Sequence, residues 1–164
     1  MPAADHTPDS GADPAAPFTW PVRVYYEDTD AGGVVYYANY LKFFERCRTE
    51  WLRALGVDQS ALALSPGLQF VVAEVEVKYF APARLDDELL IDTRTVSLGR
   101  CSIVFEQSAR RAGAPLARAL VKVACIDAQR RVPARVPEWL RARMAVRTTP
   151  SPPAPLPHAG EGSR

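Results

Sequence analysis

The hydrophobic pattern of the chain predicts one long helix between strands. From Tyr37 or Ala38 to Leu55, apolar residues recur at spacings of three and four, which is the period of an amphipathic helix. Asn39 is a possible N-terminal cap, and Gly56 stands where a glycine commonly ends a helix. The apolar face is broad and carries four aromatic residues, so this helix is expected to pack deep against a sheet.

Alternating apolar and polar residues predict five strands. The first spans Phe18 to Glu27, with Pro21 placing its start at a sheet edge, and it can pair back into the sheet. The other four span residues 68–80, 88–98, 101–110 and 116–127. Short connections between these four predict an antiparallel meander.

Within the second strand, the alternation predicts that Val71, Ala73, Val75, Val77 and Tyr79 share one face. Short helical segments are expected at residues 58–64 and 137–144. The order of elements therefore predicts an α+β layer architecture, in which an antiparallel sheet carries one apolar helix.

Composition indicates one globular domain. The chain has 164 residues, of which 48% are hydrophobic, and its net charge of +1 gives no reason to expect binding to nucleic acid. No apolar run approaches the length of a membrane span, and the N-terminus lacks the features of a secretory signal. We expect disordered tails at residues 1–17 and 146–164, a folded domain at 18–145 and a cytoplasmic location.

The positions of histidine and cysteine narrow the possible chemistry. His6 and His158 both lie in the expected tails, so histidine-based triads and zinc sites are not predicted, and neither is any cofactor or metal. Cys47, Cys101 and Cys125 have no metal-binding spacing and are expected to be reduced core residues. Acid–base chemistry would then fall to carboxylates, tyrosines, lysines or backbone groups.

One short stretch combines the groups that such chemistry needs. Asp28 and Asp30 precede Gly32 and Gly33, and the long helix begins a few residues later. A helix N-terminus presents unpaired N–H groups that can stabilise an oxyanion, and glycine lets the backbone approach a ligand closely. From spacing alone, a turn or capping carboxylate is the favoured role for Asp30, because aspartate beside glycine is common in turns.

The same stretch carries a long, gapless motif, Tyr26-x-Asp28-Thr29-Asp30-x-x-Gly33-Val34-Val35-Tyr36-x-x-x-Tyr40. This motif resembles the 4-hydroxybenzoyl-CoA thioesterase family, whose members have the hot-dog fold. The segments at residues 22–52 and 79–89 are most similar to the branch associated with the Tol-Pal envelope system, the YbgC-type acyl-CoA thioesterases. The resemblance covers roughly residues 18 to 140.

The resemblance implies a function and a set of site residues. It implies hydrolysis of an acyl-CoA thioester, with Asp30 as the catalytic carboxylate and the backbone N–H of Tyr37 polarising the carbonyl. The branch often has histidine at the position of Tyr37, but a backbone donor does not depend on the side chain. Substrate contacts are expected from Gly33, Val34, Tyr36 and Asn39, and Asp28 is expected to be structural.

The resemblance also implies partners. A homo-oligomer, dimer or tetramer, is expected, with the active site between subunits. Acyl carrier protein is a possible second partner, and attachment to the inner membrane is a possible location. For CoA phosphates, the candidate contacts are the loop arginines Arg84, Arg100, Arg130 and Arg131.

Several alternatives remain open at this point. Asp30 could attack the carbonyl or deprotonate a water molecule. Glu45 could be a second catalytic carboxylate, although a solvated or interface ion pair is favoured for it. Tyr40 is expected in the core or the pocket wall. A non-catalytic acyl-thioester or Tol-Pal binding module is the main alternative function, and a dehydratase is disfavoured because the core lacks histidine.

Overall fold

In the computed structural model, residues 16–145 are described, and they form a five-stranded antiparallel sheet with a long helix packed against one face. The strands are β1 (Phe18–Arg23), β2 (Leu68–Tyr79), β3 (Glu88–Leu98), β4 (Ser102–Arg111) and β5 (Ala114–Asp127). The helices are α1 (Tyr40–Ala54), α2 (Gln59–Leu64) and α3 (Glu138–Ala145), with 3₁₀ turns at Tyr26–Asp28 and Tyr37–Asn39. Apart from residues 16 and 17, the expected tails lie outside the described residues.

The strand order is β1-β3-β4-β5-β2, so the predicted meander is correct only for β3, β4 and β5. β2 pairs with β5 instead of β3 and forms the second edge of the sheet. The β2–β3 connection is therefore a crossover. Several backbone hydrogen bonds hold this connection in place, among them those from the N–H of Val35 to the carbonyl of Ala83 and from the N–H of Val24 to the carbonyl of Asp87.

The first strand is shorter than predicted and ends at Arg23, not Glu27. The carboxylate of Asp28 accepts a hydrogen bond from the backbone N–H of Tyr25 at 2.8 Å, which turns the chain into the 3₁₀ turn. Tyr26 therefore lies beyond the end of the strand and is 80% exposed.

The predicted faces of β2 are also partly wrong. A β-bulge between Val72 and Glu74 shifts the register against β5 by one residue, and one extra residue exchanges the two faces of a strand. The residues opposite the buried positions of β5, and therefore facing α1, are Phe70, Val72, Val75, Val77 and Tyr79. Val71 faces the other way, and Ala73 is the extra residue of the bulge.

The central helix agrees with the prediction. Its buried residues are those of the predicted stripe, with Tyr40, Phe44, Cys47 and Trp51 in the main core. Gly56 adopts a φ of +77°, and the N–H of Val57 bonds back to the carbonyl of Leu52 at 2.9 Å. This is the Schellman geometry expected at a glycine-terminated helix.

The three cysteines are free thiols. Cys47 and Cys125 are buried, and burial raises the pKa of each thiol to about 11, while Cys101 is half-buried. The buried thiols of Cys47 and Cys125 therefore stay protonated and act as small apolar residues. Within residues 16–145, no helix has the length and apolar character needed to cross a membrane.

Candidate active site

A small hairpin from Asp28 to Tyr36 builds the candidate site. Two backbone hydrogen bonds of 2.9 Å join its two sides. The N–H of Asp30 donates to the carbonyl of Val34, and the N–H of Tyr36 donates to the carbonyl of Asp28. The N–H of Val35 bonds to the carbonyl of Ala83 at 2.8 Å, which ties the hairpin to the β2–β3 connection. The carboxylate of Asp30 and the start of the helix are thus held in one loop.

Asp28 supports this hairpin from inside. Its side chain is buried, with Oδ1 accepting from Nδ2 of Asn39 at 2.6 Å and Oδ2 accepting from the N–H of Tyr25 at 2.8 Å. Both oxygens are therefore engaged, in keeping with the structural role predicted for this residue. Because the Asp28 carboxyl group is buried and both of its oxygens accept hydrogen bonds, it holds the loop against the N-terminus of α1.

Asn39 occupies the N-terminal cap position of α1, but its side chain makes no capping hydrogen bond. Its backbone is already helical, with φ −68° and ψ −23°, so the side chain does not reach back to the first turn. Instead it donates to Asp28. The predicted side-chain cap is therefore wrong, and the amide is buried behind the loop.

Asp30 lies exposed at the tip of the hairpin. Its Oδ1 accepts from the N–H of Gly32 at 2.8 Å, and its carbonyl accepts from the N–H of Gly33 at 3.0 Å. Gly33 has a φ of +73°, a conformation that favours glycine. Among the residues described, none donates to Oδ2 of Asp30, so the turn fixes one oxygen of the carboxylate and leaves the other directed outward.

Tyr37 begins the helical segment. As the first residue of the 3₁₀ turn that runs into α1, its N–H has no preceding helical carbonyl to bind. No backbone hydrogen bond among residues 16–145 uses that N–H. The carbonyl of Tyr37 accepts from the hydroxyl of Tyr79 at 2.7 Å, which fastens the helix start to the edge strand β2.

Aromatic rings surround this end of the helix. The ring centroids of Tyr36 and Tyr37 are 4.8 Å apart, and the ring of Tyr79 packs against both Tyr37 and Tyr40. The pKa of Tyr36 is raised, first by the phenol of Tyr37 and more weakly by the negative charge of Asp30. Tyr40 is buried, as predicted.

The predicted site residues separate into two groups. Asp30, Gly33, Val34, Tyr36 and Tyr37 lie together along the hairpin and helix start, and all except the half-buried Val34 are exposed. Asn39 lies behind them in the interior.

Of the four arginines considered for CoA, only Arg84 is at this end of the sheet. Arg84 belongs to the β2–β3 connection that contacts the hairpin. Arg100 lies in the β3–β4 turn, and Arg130 and Arg131 follow the end of β5. These three are at the opposite end of strands about 30 Å long, so within one subunit they are remote from Asp30.

Glu45 is exposed on α1, and the expectation of a solvated or interface ion pair stays a prediction. Its Oε1 accepts from the hydroxyl of Thr49 at 2.7 Å, and none of the ion pairs among residues 16–145 includes it. Arg48 instead donates to Oε1 of Gln107 at 2.7 Å.

Sequence reasoning missed two residues that hold the site. Tyr79 fastens the carbonyl of Tyr37, and Ala83 accepts the N–H of Val35. Both lie more than 40 positions from their partners, and Ala83 acts only through its backbone. The sole signal in the sequence is the second segment of resemblance, residues 79–89, which contains both.

Comparison with known proteins gives this loop its family context. The sequence model of the Thioesterase-like superfamily matches residues 24–144, which includes the hairpin, α1 and all strands after β1. The chain belongs to this superfamily. The α+β hot-dog fold expected from the sequence is confirmed, because a probable thioesterase from Bartonella henselae superposes with a TM-score of 0.71 at 39% identity over 74% of this chain and 100% of that one.

Two curated relatives within the superfamily are more similar in sequence. The acyl-CoA thioesterase YbgC of Haemophilus influenzae is 47% identical over 125 residues, which are 76% of this chain and 92% of that protein. The acyl-CoA thioester hydrolase YbgC of Escherichia coli is 49% identical over 126 residues, 76% of this chain and 93% of that protein. The branch to which the motif pointed is therefore confirmed.

Proposed function

We propose that this protein hydrolyses acyl-CoA thioesters to a free acid and CoA, with Asp30 as the catalytic carboxylate. The observation that carries the proposal is the hairpin from Asp28 to Tyr36, which holds an exposed carboxylate and a free helix-start N–H in one rigid loop. Membership of the Thioesterase-like superfamily and the two YbgC relatives support the reaction class.

The backbone N–H of Tyr37 would bind the thioester oxygen. Negative charge develops on that oxygen when the carbonyl carbon becomes tetrahedral, and one such donor contributes about 3–4 kcal/mol of barrier reduction. The positive end of the α1 dipole adds to the same field. The exposed tyrosine ring is not required for this step, so a tyrosine at this position is compatible with activity.

Asp30 would act by one of two routes. In the first, its free oxygen attacks the carbonyl carbon and the C–S bond breaks, which leaves a mixed anhydride on Asp30. CoA departs as a thiolate that takes a proton from water, and a water molecule then hydrolyses the anhydride. In the second, Asp30 takes a proton from a water molecule whose oxygen adds to the carbon, and the thiolate leaves and is protonated. Gly32 holds Oδ1 in both routes and leaves Oδ2 for the chemistry.

The substrate contacts fit the same loop. The backbone at Gly33 and Val34 would lie along the thioester, since glycine removes the Cβ that would obstruct close approach. Tyr36 would form one wall with its exposed ring. Asn39 is proposed to act indirectly, by donating a hydrogen bond to the carboxylate of Asp28. Direct contact between Asn39 and the substrate stays a prediction.

The reaction is tested by incubating the purified protein with a panel of aliphatic and aromatic acyl-CoAs and measuring free thiol with Ellman's reagent. Release of CoA from at least one class well above the uncatalysed rate is expected. Failure to release CoA from any of them, together with recovery of acyl carrier protein or Tol-Pal components in pull-downs, would instead support the binding module. The cytoplasmic location and attachment to the inner membrane stay predictions.

We also propose that the active form is a homo-oligomer built along β2. This edge strand has 12 residues, and exposed apolar residues occur on both of its faces. Val72 is 49% exposed and Val75 is 41% exposed, although both face α1. A long edge strand with apolar side chains is a template for pairing with another chain, and a second copy would cover it. A dimer, or a tetramer made from two dimers, would bring a neighbouring chain against the groove beside α1.

Val75→Arg is expected to release monomers. An arginine buried in the subunit contact without a partner should weaken association about a hundredfold or more. Light scattering at micromolar concentration should give a mass of two or four chains for the wild type and a lower mass for the variant. Val96→Arg is the matched control, because Val96 is 47% exposed but lies on β3. A monomeric wild type at that concentration would contradict the proposal.

A further inference from the structure

A cavity of about 120 Å³ lies between α1 and the β2 side of the sheet, away from the Asp30 loop. Four polar residues line one side, namely Glu45, Arg48, Thr49 and Gln59. The other walls are apolar and comprise Leu52, Phe70, Val72, Ile103, Phe105 and Val123. This volume equals about four water molecules, so it fits the end of a chain and not a nucleotide.

The guanidinium of Arg48 is fixed at this cavity by a buried network. Gln107 is 1% exposed, and its Nε2 donates to the carbonyl of Phe44 at 2.9 Å and to the hydroxyl of Thr93 at 2.6 Å. These two bonds set the orientation of the amide, so Oε1 points to Arg48 and accepts from it at 2.7 Å. The arginine is therefore positioned by residues that do not belong to the active-site loop.

Most donors of Arg48 remain unused. A guanidinium has five N–H donors, and the hydrogen bonds among residues 16–145 use one of them, to Gln107. No carboxylate in this part of the chain forms an ion pair with Arg48. Burial lowers the pKa of Arg48 and the charge of Glu45 opposes that shift, yet Glu45 is exposed and is bonded to Thr49. A partly buried cation with free donors is suited to an oxygen anion.

The flank of α1 and the neighbouring edge strand β2 both run from this cavity toward the candidate active site, and the strip between them is called the groove. Along the 3₁₀ turn and α1, one flank carries a series of residues at helical spacing, namely Tyr37, Leu41, Glu45, Arg48 and Leu52. On the sheet, the α1-facing residues of β2 run beside that flank, from Tyr79 at the helix start to Val72 and Phe70 at the cavity.

Most of these groove residues are apolar, and Leu41, Val72, Val75 and Tyr79 are substantially exposed. The path from the N–H of Tyr37 to the level of Arg48 is about 15–20 Å along the helix. Its mostly apolar walls suit an alkyl chain whose thioester lies at Asp30.

We propose that this groove holds the acyl chain and that Arg48 binds a carboxylate at its far end, so that the preferred substrates are ω-carboxyacyl-CoA thioesters of medium length. The inference rests on the proposed thioesterase function and adds the substrate class. The apolar groove receives the methylene chain, and Arg48 supplies the polar contact that an ordinary fatty acyl chain does not need.

The test compares matched pairs of substrates of equal chain length: hexanoyl- with adipoyl-CoA, octanoyl- with suberoyl-CoA, and decanoyl- with sebacoyl-CoA. At one or more lengths, the wild type should have a kcat/KM about tenfold to a hundredfold higher for the carboxylated member, mainly through a lower KM. This range corresponds to a charge-assisted contact in a partly buried site. The same kcat/KM for both members at every length would overturn the inference, and that comparison needs no variant.

Arg48→Met should remove the preference by raising KM for the carboxylated substrate, with little change for the alkyl one. Arg48→Lys should keep part of the preference, because the charge remains without the forked donor geometry. Arg46→Met is the matched control, since Arg46 is exposed on the opposite side of α1 and should leave the preference unchanged. Thermal melts confirm that each variant is folded.

The outcomes separate this inference from the proposed function. Hydrolysis of both series without a preference, or with a preference that survives in Arg48→Met, overturns the role of Arg48 and leaves the thioesterase function intact. Absence of hydrolysis for every acyl-CoA overturns the proposed function itself. Loss of the carboxylate preference in Arg48→Met with alkyl substrates still hydrolysed supports both.

Discussion

Asp30→Asn is expected to lower kcat for acyl-CoA hydrolysis by a factor of about 10²–10⁴. An amide neither attacks a thioester carbon effectively nor accepts a proton from water at neutral pH. The loop itself should survive, because the carbonyl oxygen of asparagine can accept the N–H of Gly32 in place of Oδ1 of the aspartate. Since Asp30 is exposed, the free energy of unfolding should change by less than about 0.5 kcal/mol.

The measurement is steady-state kinetics with the best substrate of the panel, together with urea unfolding of both proteins. Asp58→Asn is the matched control. Asp58 is also exposed and accepts a local backbone N–H, from Ala61 at 3.1 Å, but it caps α2 away from the hairpin. A kcat of Asp30→Asn equal to that of the wild type would remove Asp30 from the mechanism, whatever the stability of the variant.

Single turnover in heavy-oxygen water separates the two routes open to Asp30. If Asp30 attacks the thioester, water opens the anhydride and part of the heavy oxygen enters the protein carboxylate. If Asp30 is a general base, the label enters only the product acid. Mass spectrometry of the peptide that contains the hairpin records the difference.

The sequence predicted most of the elements because each rests on a local pattern. The stripe of α1 is a helical period that extends over several turns, and Gly56 ends it by a conformation that favours glycine. The bounds of β3 agree with the prediction at both ends. Over most of its length, buried residues of β3 alternate strictly with residues that are exposed or partly buried.

The errors arose where one residue changes the geometry of its neighbours. The bulge between Val72 and Glu74 exchanges the faces of β2, and alternation by itself contains no sign of it because Val71, Val72 and Val75 are all apolar. β1 ends early because a side chain, that of Asp28, binds the backbone of Tyr25.

The site was predicted only in part, for a related reason. The motif places Asp30 and Tyr37 in one short segment, so their proximity follows from the sequence. Arg48 and Gln107 are 59 positions apart, and only the packing of α1 on β4 joins them. The cavity beside them was consequently not foreseen, and Arg48 was weighed only as a charged neighbour of Glu45.

Asp28→Ala is expected to be the most damaging single change in the loop for stability. It leaves two donors without their partner, the amide of Asn39 and the N–H of Tyr25, in a site where Asp28 itself is 4% exposed. Each unsatisfied buried donor costs about 1–3 kcal/mol, so a loss of about 3 kcal/mol in the free energy of unfolding is expected. The corresponding fall in Tm is about 6–12 °C for a protein of this size.

A double-mutant cycle with Asn39→Ala isolates the contact. Because the two side chains meet at 2.6 Å, the double variant should be more stable than the sum of the single losses predicts, by about 0.5–3 kcal/mol. Urea unfolding of the four proteins gives the coupling. Asp30→Ala, which removes an exposed carboxylate from the same hairpin, should unfold close to the wild type.

Activity should fall in Asp28→Ala as well, although the Asp28 side chain is buried. The buried carboxylate holds the hairpin against α1, and a displacement of about 1 Å between catalytic groups can cost about 10²-fold in rate. The loss should therefore appear in kcat at a temperature where the variant is still folded by circular dichroism. An Asp28→Ala protein that unfolds at the same urea concentration as the wild type would show that the pair with Asn39 does not hold the loop.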